Sequence, residues 1–263
     1  MPVNKRSCVW AGLIAAGLAV STAQAITLPT NVITVSASTG GLNGSVDIDI
    51  SDATVFGDAL QWVAASNIDI MDGGAVVGTI NQGTSIVMGL VPTPPAGDAS
   101  IRMTFNVMAN NNADTVFSIS SGSLTNLGFT NADALATGGI TVTDSNNNGA
   151  ELTALNSGGS RFADFGYNNG LLFASLIDGS SPTDPDVGNL SAGIGGSNSD
   201  SEDVAGPGVF LPIGAVSEMN IQFDFRLTAG DQASGTAFFV VVPAPASAAL
   251  LGLGGLVAAR RRR

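Results

Sequence analysis

Strict alternation of apolar and polar residues runs through long parts of this chain, and it restricts the possible folds more than any other feature. In residues 219–227 every odd position is apolar and every even position is polar, and residues 101–107 and 46–50 show the same alternation. A period of two puts one set of side chains on a core face and the other in water, which predicts half-buried antiparallel strands. Turn-forming pairs between candidate strands, such as Asn169 with Gly170 and Asp72 with Gly73, favour tight hairpins.

Short strands of this kind recur throughout the body of the chain. They predict an all-β fold, an antiparallel two-sheet sandwich, of which a jelly roll is one form.

Two segments depart from the pattern of alternating strands. Residues 131–137 combine a capping residue with helix formers and predict one or two helical turns. Residues 180–208 are rich in Ser, Gly, Asp and Pro and predict a mobile surface loop.

The first 25 residues have the three parts of a secretory signal peptide. Lys5 and Arg6 give a positive start, residues 9–20 are apolar, and Ala23 and Ala25 stand at positions −3 and −1 of a cleavage site. We expect signal peptidase to cut after Ala25, which leaves a body at residues 26–242. The alternative is an uncleaved membrane anchor, for which the apolar stretch is short against a hydrocarbon core of about 30 Å.

Residues 243–263 form a second segment with three parts. Pro243, Ala244 and Pro245 come first, an apolar stretch follows at residues 246–259, and the segment ends with Arg260, Arg261, Arg262 and Arg263. In lipid the apolar stretch favours helix, and the arginines stay on the cytoplasmic side. At about 1.5 Å per residue this helix is shorter than the bilayer core, so we expect one short C-terminal transmembrane helix that anchors the protein temporarily.

This C-terminal tail resembles the PEP-CTERM sorting signal of Gram-negative bacteria. Pro243 and Pro245 match the two prolines of that signal by position, the four arginines match its basic cluster, and Ala244 stands where the family usually has Glu. The resemblance implies recognition by an exosortase, a membrane-embedded transpeptidase that removes the tail. It further implies an inner-membrane stage followed by the cell surface or extracellular space, in bacteria that make exopolysaccharide. It is confined to the tail and implies nothing about the fold of the body.

Composition excludes most catalytic chemistry. The chain has no His, and its only Lys and only Cys are Lys5 and Cys8, so a Ser–His–Asp triad, a Cys nucleophile, a Schiff-base Lys and a His/Cys zinc site are all ruled out. The body carries three arginines against 21 acidic residues, a net charge of −18, which repels nucleic acid. Together with the tail, these features predict a non-catalytic surface or matrix protein, not an enzyme.

One segment resembles the first half of a calcium-binding loop. Asp144, Asn146 and Asn148 alternate and are followed by Gly149, which gives oxygen ligands at positions 1, 3 and 5 and a sharp turn at 6. The bidentate acid expected at the twelfth position is missing, because Leu155 stands there. The alternative is an Asn-rich β-turn. Calcium is therefore a candidate ligand of these three residues, and no other cofactor is expected.

Two other functions stay open from the sequence. The first is a carbohydrate- or calcium-binding adhesin, although the body's only Trp and Tyr, Trp62 and Tyr167, lie inside apolar strands where core packing is expected. The second is a glycosidase that uses a carboxylate pair. Alternation places the candidate carboxylates Asp47, Asp49 and Asp224 on outward faces.

Overall fold

A computed structural model describes residues 26–91, 97–110, 112–179 and 188–244. In these residues it has seventeen strands, one 3-10 turn at Ile50–Asp52 and no α-helix. The strands are β1 Asn31–Thr39, β2 Leu42–Asp49, β3 Thr54–Phe56, β4 Ala59–Val63, β5 Ile68–Asp72, β6 Ala75–Ile80, β7 Ser85–Val91, β8 Asp98–Ala109, β9 Thr115–Ser121, β10 Leu124–Thr143, β11 Ala150–Ala154, β12 Ala163–Tyr167, β13 Leu171–Leu176, β14 Asn189–Ala192, β15 Ser197–Asp203, β16 Leu211–Leu227 and β17 Gln232–Pro243. The predicted all-β class is confirmed.

Alternation fixes which side of each strand is buried. In the second half of β16, Phe223 and Phe225 are fully buried, whereas Asp224 between them is half-buried and Arg226 is exposed. The 12-residue β8 alternates in the same way along its whole length. The period of two that predicted the strands therefore also predicted their core-facing side chains.

The strands form two rows that curl into one antiparallel sheet. The first row runs β4, β7, β8, β17, β10 and β15, and β6 pairs with the end of β8 beside β7. The second row runs β2, β1, β9 and β16, followed by β11 and β12 side by side and then β14 and β13. Because β10 and β16 pair through their first halves, the two rows are continuous with each other.

Aromatic rings from both rows meet in the core. Phe105 of β8 lies 4.9 Å from Phe223 of β16, centroid to centroid, and 5.7 Å from Phe225. Phe239 of β17 likewise contacts Phe165 of β12 at 5.7 Å. Packing of this kind adds to the burial of apolar area and holds the two rows face to face.

The helical turns predicted at residues 131–137 are wrong. These residues lie inside β10, where Ala132 to Thr143 pair continuously with β17. Ala134 and Ala136 are fully buried in that strand. Long-range pairing and burial override the local helix preference of an alanine-rich segment.

The surface loop predicted at residues 180–208 is wrong for residues 189–192 and 197–203, which form β14 and β15. β15 is made entirely of Ser, Asn, Asp and Glu, yet it pairs with β10 over seven residues. Its acidic side chains accept backbone hydrogen bonds: the N–H of Gly179 donates to Asp200 at 3.0 Å and the N–H of Ile177 donates to Glu202 at 2.8 Å. A strand can therefore lack apolar residues where its carboxylates bind a neighbouring backbone. Residues 180–187 lie outside the described part.

Both predicted targeting segments lie wholly or mostly outside the described residues. The signal peptide at residues 1–25, with Ala23 and Ala25, is one. The other is the tail at residues 243–263, of which residues 245–263 lie outside, with Pro245, Arg260, Arg261, Arg262 and Arg263. Within the described part of the chain, no helix has the length and apolar character that a membrane crossing requires. The cleavage site and the short transmembrane helix stay predictions.

Candidate functional site

The candidate calcium residues form a turn that is organised around Asp144. This residue follows β10, is only 6% exposed, and accepts hydrogen bonds from four backbone N–H groups. Asn146 and Asn148 donate to Oδ1 at 3.2 and 3.3 Å, and Gly149 and Gly195 donate to Oδ2 at 3.0 and 2.6 Å. Burial raises the pKa of Asp144, but these donors outweigh it and lower the pKa to about 2.

A second carboxylate, Asp231, lies beside this turn and was not predicted from the sequence. It is fully buried and accepts hydrogen bonds from the Ser145 N–H at 3.2 Å and the Thr228 hydroxyl at 2.5 Å. Burial raises its pKa, and the nearby charge of Asp144 adds to this rise. Asp231 is 87 positions away from Asp144 in the sequence, so only the pairing of β10 with β17 could have revealed the contact.

The arrangement favours a structural turn over a calcium loop. Both carboxylate oxygens of Asp144 face N–H donors, and Asn146 Oδ1 accepts from the Asn148 N–H at 3.2 Å. Calcium needs six to eight oxygens directed at one point, whereas each oxygen of Asp144 already accepts two backbone N–H bonds. Across the described ranges, no group of three acidic, His or Cys side chains is placed to hold a metal. The hydrogen bonds therefore explain this turn without a metal, and calcium binding by Asp144, Asn146 and Asn148 stays a prediction to be tested.

The outward carboxylates lie on the outer face of the second row, as alternation predicted for Asp47 and Asp224. Asp47 accepts a hydrogen bond from the Thr34 hydroxyl at 2.6 Å, and Asp224 accepts one from the Gln222 amide at 2.6 Å. Asp49 instead accepts the Ser51 N–H at 2.8 Å at the start of the 3-10 turn, and this bond lowers its pKa. The structure does not bring these three carboxylates together at one site.

A continuous row of polar side chains crosses this outer face; we call it the polar ladder. Its cross-strand neighbours, in order, are Asp47, Thr34, Ser120, Gln222, Asp164 and Ser175. Burial raises the pKa of Asp164, and the charge of Asp224 adds to this rise. Ser175 donates to Asp164 in a short hydrogen bond and also bonds Ser157 at 2.7 Å. Most of the ladder's polar groups are therefore already bound to one another.

The outer face of the first row differs, because it carries a groove lined by hydroxyls. The groove has a volume of about 380 Å³ and lies over β8, β17, β10 and β15. Two rows of cross-strand neighbours form its floor: Thr104, Thr236, Gly139 and Ser201 in one, and Ser234, Thr141 and Ser199 in the other. We call the set Thr104, Thr141, Ser199, Ser201, Ser234 and Thr236 the hydroxyl groove.

Sequence reasoning missed this groove because its residues come from four strands that are far apart in the chain. The available signal was weak: Ser and Thr stand at outward positions of alternating strands, such as Ser234 and Thr236 in β17. Since β-strands favour Thr in any case, that pattern alone does not distinguish a site. Register across the sheet is what brings the hydroxyls together.

Two residues of the predicted sorting motif lie within the described chain. Pro243 ends β17 opposite Ala132, and the N–H of Ala244 donates to the carbonyl oxygen of Asn131 at 3.0 Å. The last strand therefore continues through the first proline of the motif, one residue beyond the predicted end of the body at Val242. The predicted core role of Trp62 is confirmed, since it is 7% exposed.

Searches for similar proteins found no family. No family model matches this chain, and no curated protein matches it. Some solved structures resemble it weakly. The tailspike protein 4 enzymatically active domain of Bacteriophage CBA120 has 12% identity and a TM-score of 0.24, over 80% of this chain and 19% of that one.

Two further structures resemble the chain even less. Infectious bursal disease virus Gt strain gives 11% identity and a TM-score of 0.17, over 81% of this chain and 65% of that one. The family 11 carbohydrate-binding module of Clostridium thermocellum gives 8% identity and a TM-score of 0.15, over 65% of this chain and 96% of that one. Similarities of this size do not indicate a shared function.

Proposed function

We propose that this chain is an exported, non-catalytic protein of the cell surface or extracellular matrix, sorted by an exosortase-type system. Signal peptidase and an exosortase are its processing partners, and the inner membrane holds it only until the tail is removed. Exopolysaccharide is the proposed surrounding at its destination. The body is neither an enzyme nor a nucleic-acid binder in this proposal.

The three-part tail carries this proposal. Pro243, Ala244 and Pro245, the apolar stretch and four terminal arginines occur in the order and spacing of the PEP-CTERM signal. The positive-inside rule gives the arginines a cytoplasmic position, which leaves the body outside. The signal-peptide pattern of residues 1–25 supports the same route, because the body must be exported before a tail can hold it.

The body's surface chemistry is compatible with that destination. Its acidic excess favours solubility and hydration, and the hydroxyl groove and the polar ladder make the centre of each outer face polar. We further assign the two rows to the two-sheet sandwich class, with the jelly roll as a related form. Contacts between the rows, such as Phe105 with Phe223, support this assignment.

Fractionation of the host tests the proposal directly. Cells of the wild type and of an exosortase deletion are separated into inner membrane, outer envelope and medium, and the body is detected with an antibody. We expect the wild-type protein at the surface or in the medium with its tail removed, and the deletion strain to hold the full tail in the inner membrane. Unchanged location and mass in the deletion would reduce the tail to an ordinary anchor and reject the proposal.

A carbohydrate-binding adhesin is the second candidate function. The hydroxyl groove favours it, because this groove presents uncommitted polar groups on an exposed sheet face. Such a protein would reach the surface by the same route but would bind a ligand there.

A further inference from the structure

We propose that the hydroxyl groove binds an uncharged polysaccharide, whose chain lies across β17, β10 and β15. This deepens the proposed surface function by naming a ligand class, and it rests on that function only for the place where the ligand is met. The binding itself depends on the groove and not on the sorting tail, so the two proposals can fail separately.

The first support is that the groove's hydroxyls are free to bind. Within the described part of the chain, none of the six makes a side-chain hydrogen bond to the protein, whereas the polar ladder on the opposite face binds itself. Each Ser or Thr hydroxyl offers one donor and two acceptor positions. A polysaccharide presents the same groups, so a row of uncommitted hydroxyls can exchange hydrogen bonds with it directly or through water.

The second support is the shape of the groove. Gly139 lies in the middle of one hydroxyl row, between Thr236 and Ser201, and its missing side chain leaves the floor low at that point. Neighbouring strands place successive hydroxyls about 4.8 Å apart across the sheet. The result is an open trench in which polar groups are repeated in two directions, suited to an extended chain more than to a small compact molecule.

The third support is charge. The six outward side chains are all neutral, and the Asp200 carboxylate accepts hydrogen bonds from the backbone N–H groups of Gly179 and Ser201. The body as a whole carries a net charge of −18, so anionic polymers are repelled. A neutral polymer is the polyhydroxyl ligand that the groove accepts without an electrostatic penalty.

An aromatic ring flanks the groove. Phe238 is two residues along β17 from Thr236 and points to the same outward side, since Ala237 between them is buried. Phe238 is half-buried and stands between Arg102 and Thr137 in the neighbouring row. Its ring offers an apolar face for a sugar ring at the edge of the trench.

Affinity electrophoresis of the full chain tests the proposal, in a detergent without a sugar headgroup. The probes are three uncharged polymers (dextran, laminarin and xyloglucan), anionic alginate and cationic chitosan. We expect retardation by at least one uncharged polymer and none by alginate. Failure of all three uncharged polymers, or retardation by chitosan alone, would overturn the proposal.

Variants then locate the binding. The double variant Thr141→Val, Thr236→Val removes one hydroxyl from each floor row with little change of shape, and we expect about tenfold weaker binding. Gly139→Val fills the trench and should weaken binding at least as much. Ser120→Ala removes a hydroxyl from the polar ladder and is the matched control, with expected unchanged binding.

Thermal unfolding of each variant separates a lost site from a lost fold. Valine is a strong strand former, so Gly139→Val should melt no lower than the wild type. Full affinity in both groove variants, with the wild-type melting temperature, would reject the groove as the site. These outcomes are independent of the fractionation result, because they are measured on purified protein.

Discussion

At the scale of single residues, two glycines on adjacent central strands have opposite roles. A Cβ on Gly235 would lie 2.5 Å from ring atoms of Phe105 and 3.1 Å from the carbonyl oxygen of Gly139. A Cβ on Gly139 would meet its nearest neighbours at 3.6 Å, which is ordinary contact. Gly235 is therefore required by the close packing of the core, whereas Gly139 has room for a side chain.

This contrast predicts different costs for the same substitution. We expect Gly235→Ala to lower the free energy of unfolding by about 1–3 kcal/mol, because Phe105 must move to admit the methyl group. Gly139→Ala is the matched control and should unfold at or above the wild-type midpoint in urea. Equal destabilisation of both variants would contradict the inward and outward assignment of the two glycines.

Asp144 gives a prediction about pH. Its folded-state pKa of about 2 is below the value of about 3.9 for an unfolded chain. It therefore contributes stability that is fully present above the unfolded value and is lost as the pH falls towards 2. We expect Asp144→Asn to melt below the wild type at pH 6, with a difference that shrinks as the pH is lowered to 2.5. A difference that stays constant over this range would mean that the charge of Asp144 has no part in the turn.

The same turn predicts the response to calcium. Because the oxygens of Asp144 already face four N–H donors, we expect calcium chloride to raise the melting temperature no more than magnesium chloride at equal ionic strength. A calcium-specific rise in the wild type that is absent in Asp144→Asn would instead establish calcium as a ligand of Asp144, Asn146 and Asn148.

At the scale of elements, β15 is held in place by polar contacts. Its backbone pairs with β10, and the carboxylates of Asp200 and Glu202 accept hydrogen bonds from the backbone of Gly179 and Ile177. Asn198 and Asp200 also accept the N–H groups of Ser199 and Ser201, so this edge strand offers fewer open N–H groups to another chain. The acidic residues of β15 thus have a structural use beyond solubility.

We expect the double variant Asp200→Asn, Glu202→Gln to loosen β15 from the segment at Ile177 and Gly179. The amide oxygens of the variants still accept these bonds but carry no full charge, so each bond weakens by about 1 kcal/mol, and amide exchange at Ile177 and Gly179 should become faster. Asp203→Asn is the control on the same strand, because Asp203 makes no side-chain hydrogen bond within the described residues. Unchanged exchange in the double variant would show that backbone pairing alone holds β15.

The elements also show how far sequence alone could reach. The alternation in β8 and β16 located both strands and their buried sides, because a burial pattern with a period of two can be read from neighbouring residues in the sequence. β15 was missed since its stability comes from backbone pairing and carboxylate contacts, which leave no apolar signal. Residues 131–137 were misassigned because the helix preference of alanine is local and their pairing with β17 is not.

The same distinction between local and long-range features applies to the candidate site. Asp144 could be singled out because the turn that it organises is contained in six successive residues. Asp231 and the hydroxyl groove could not, because each is assembled by the register between strands that are distant in the sequence. Whichever residues bind a ligand on this sheet, only the pairing of β10 with β17 and β15 makes them neighbours.

At the scale of the whole molecule, the body's last strand and the sorting motif meet at Pro243 and Ala244. We expect a chain ending after Ala244 to unfold in one cooperative transition, at the same temperature as the full chain. A chain ending after Phe238 should lose that transition, because it lacks Phe239 and its contacts with Phe165 and Phe173. Circular dichroism during heating distinguishes the two, and a cooperative transition in the shorter chain would contradict a structural role for the end of β17.

The position of β17 also sets the order of events during synthesis. β17 lies between β8 and β10, so the first row has a gap at its centre until the ribosome has added residue 243. Until then β8 and β10 each present an unpaired edge to other chains. We therefore expect the first row to be completed only after β17 has been synthesised. A messenger RNA that ends before the codons of β17 would yield chains that aggregate instead of a smaller folded protein.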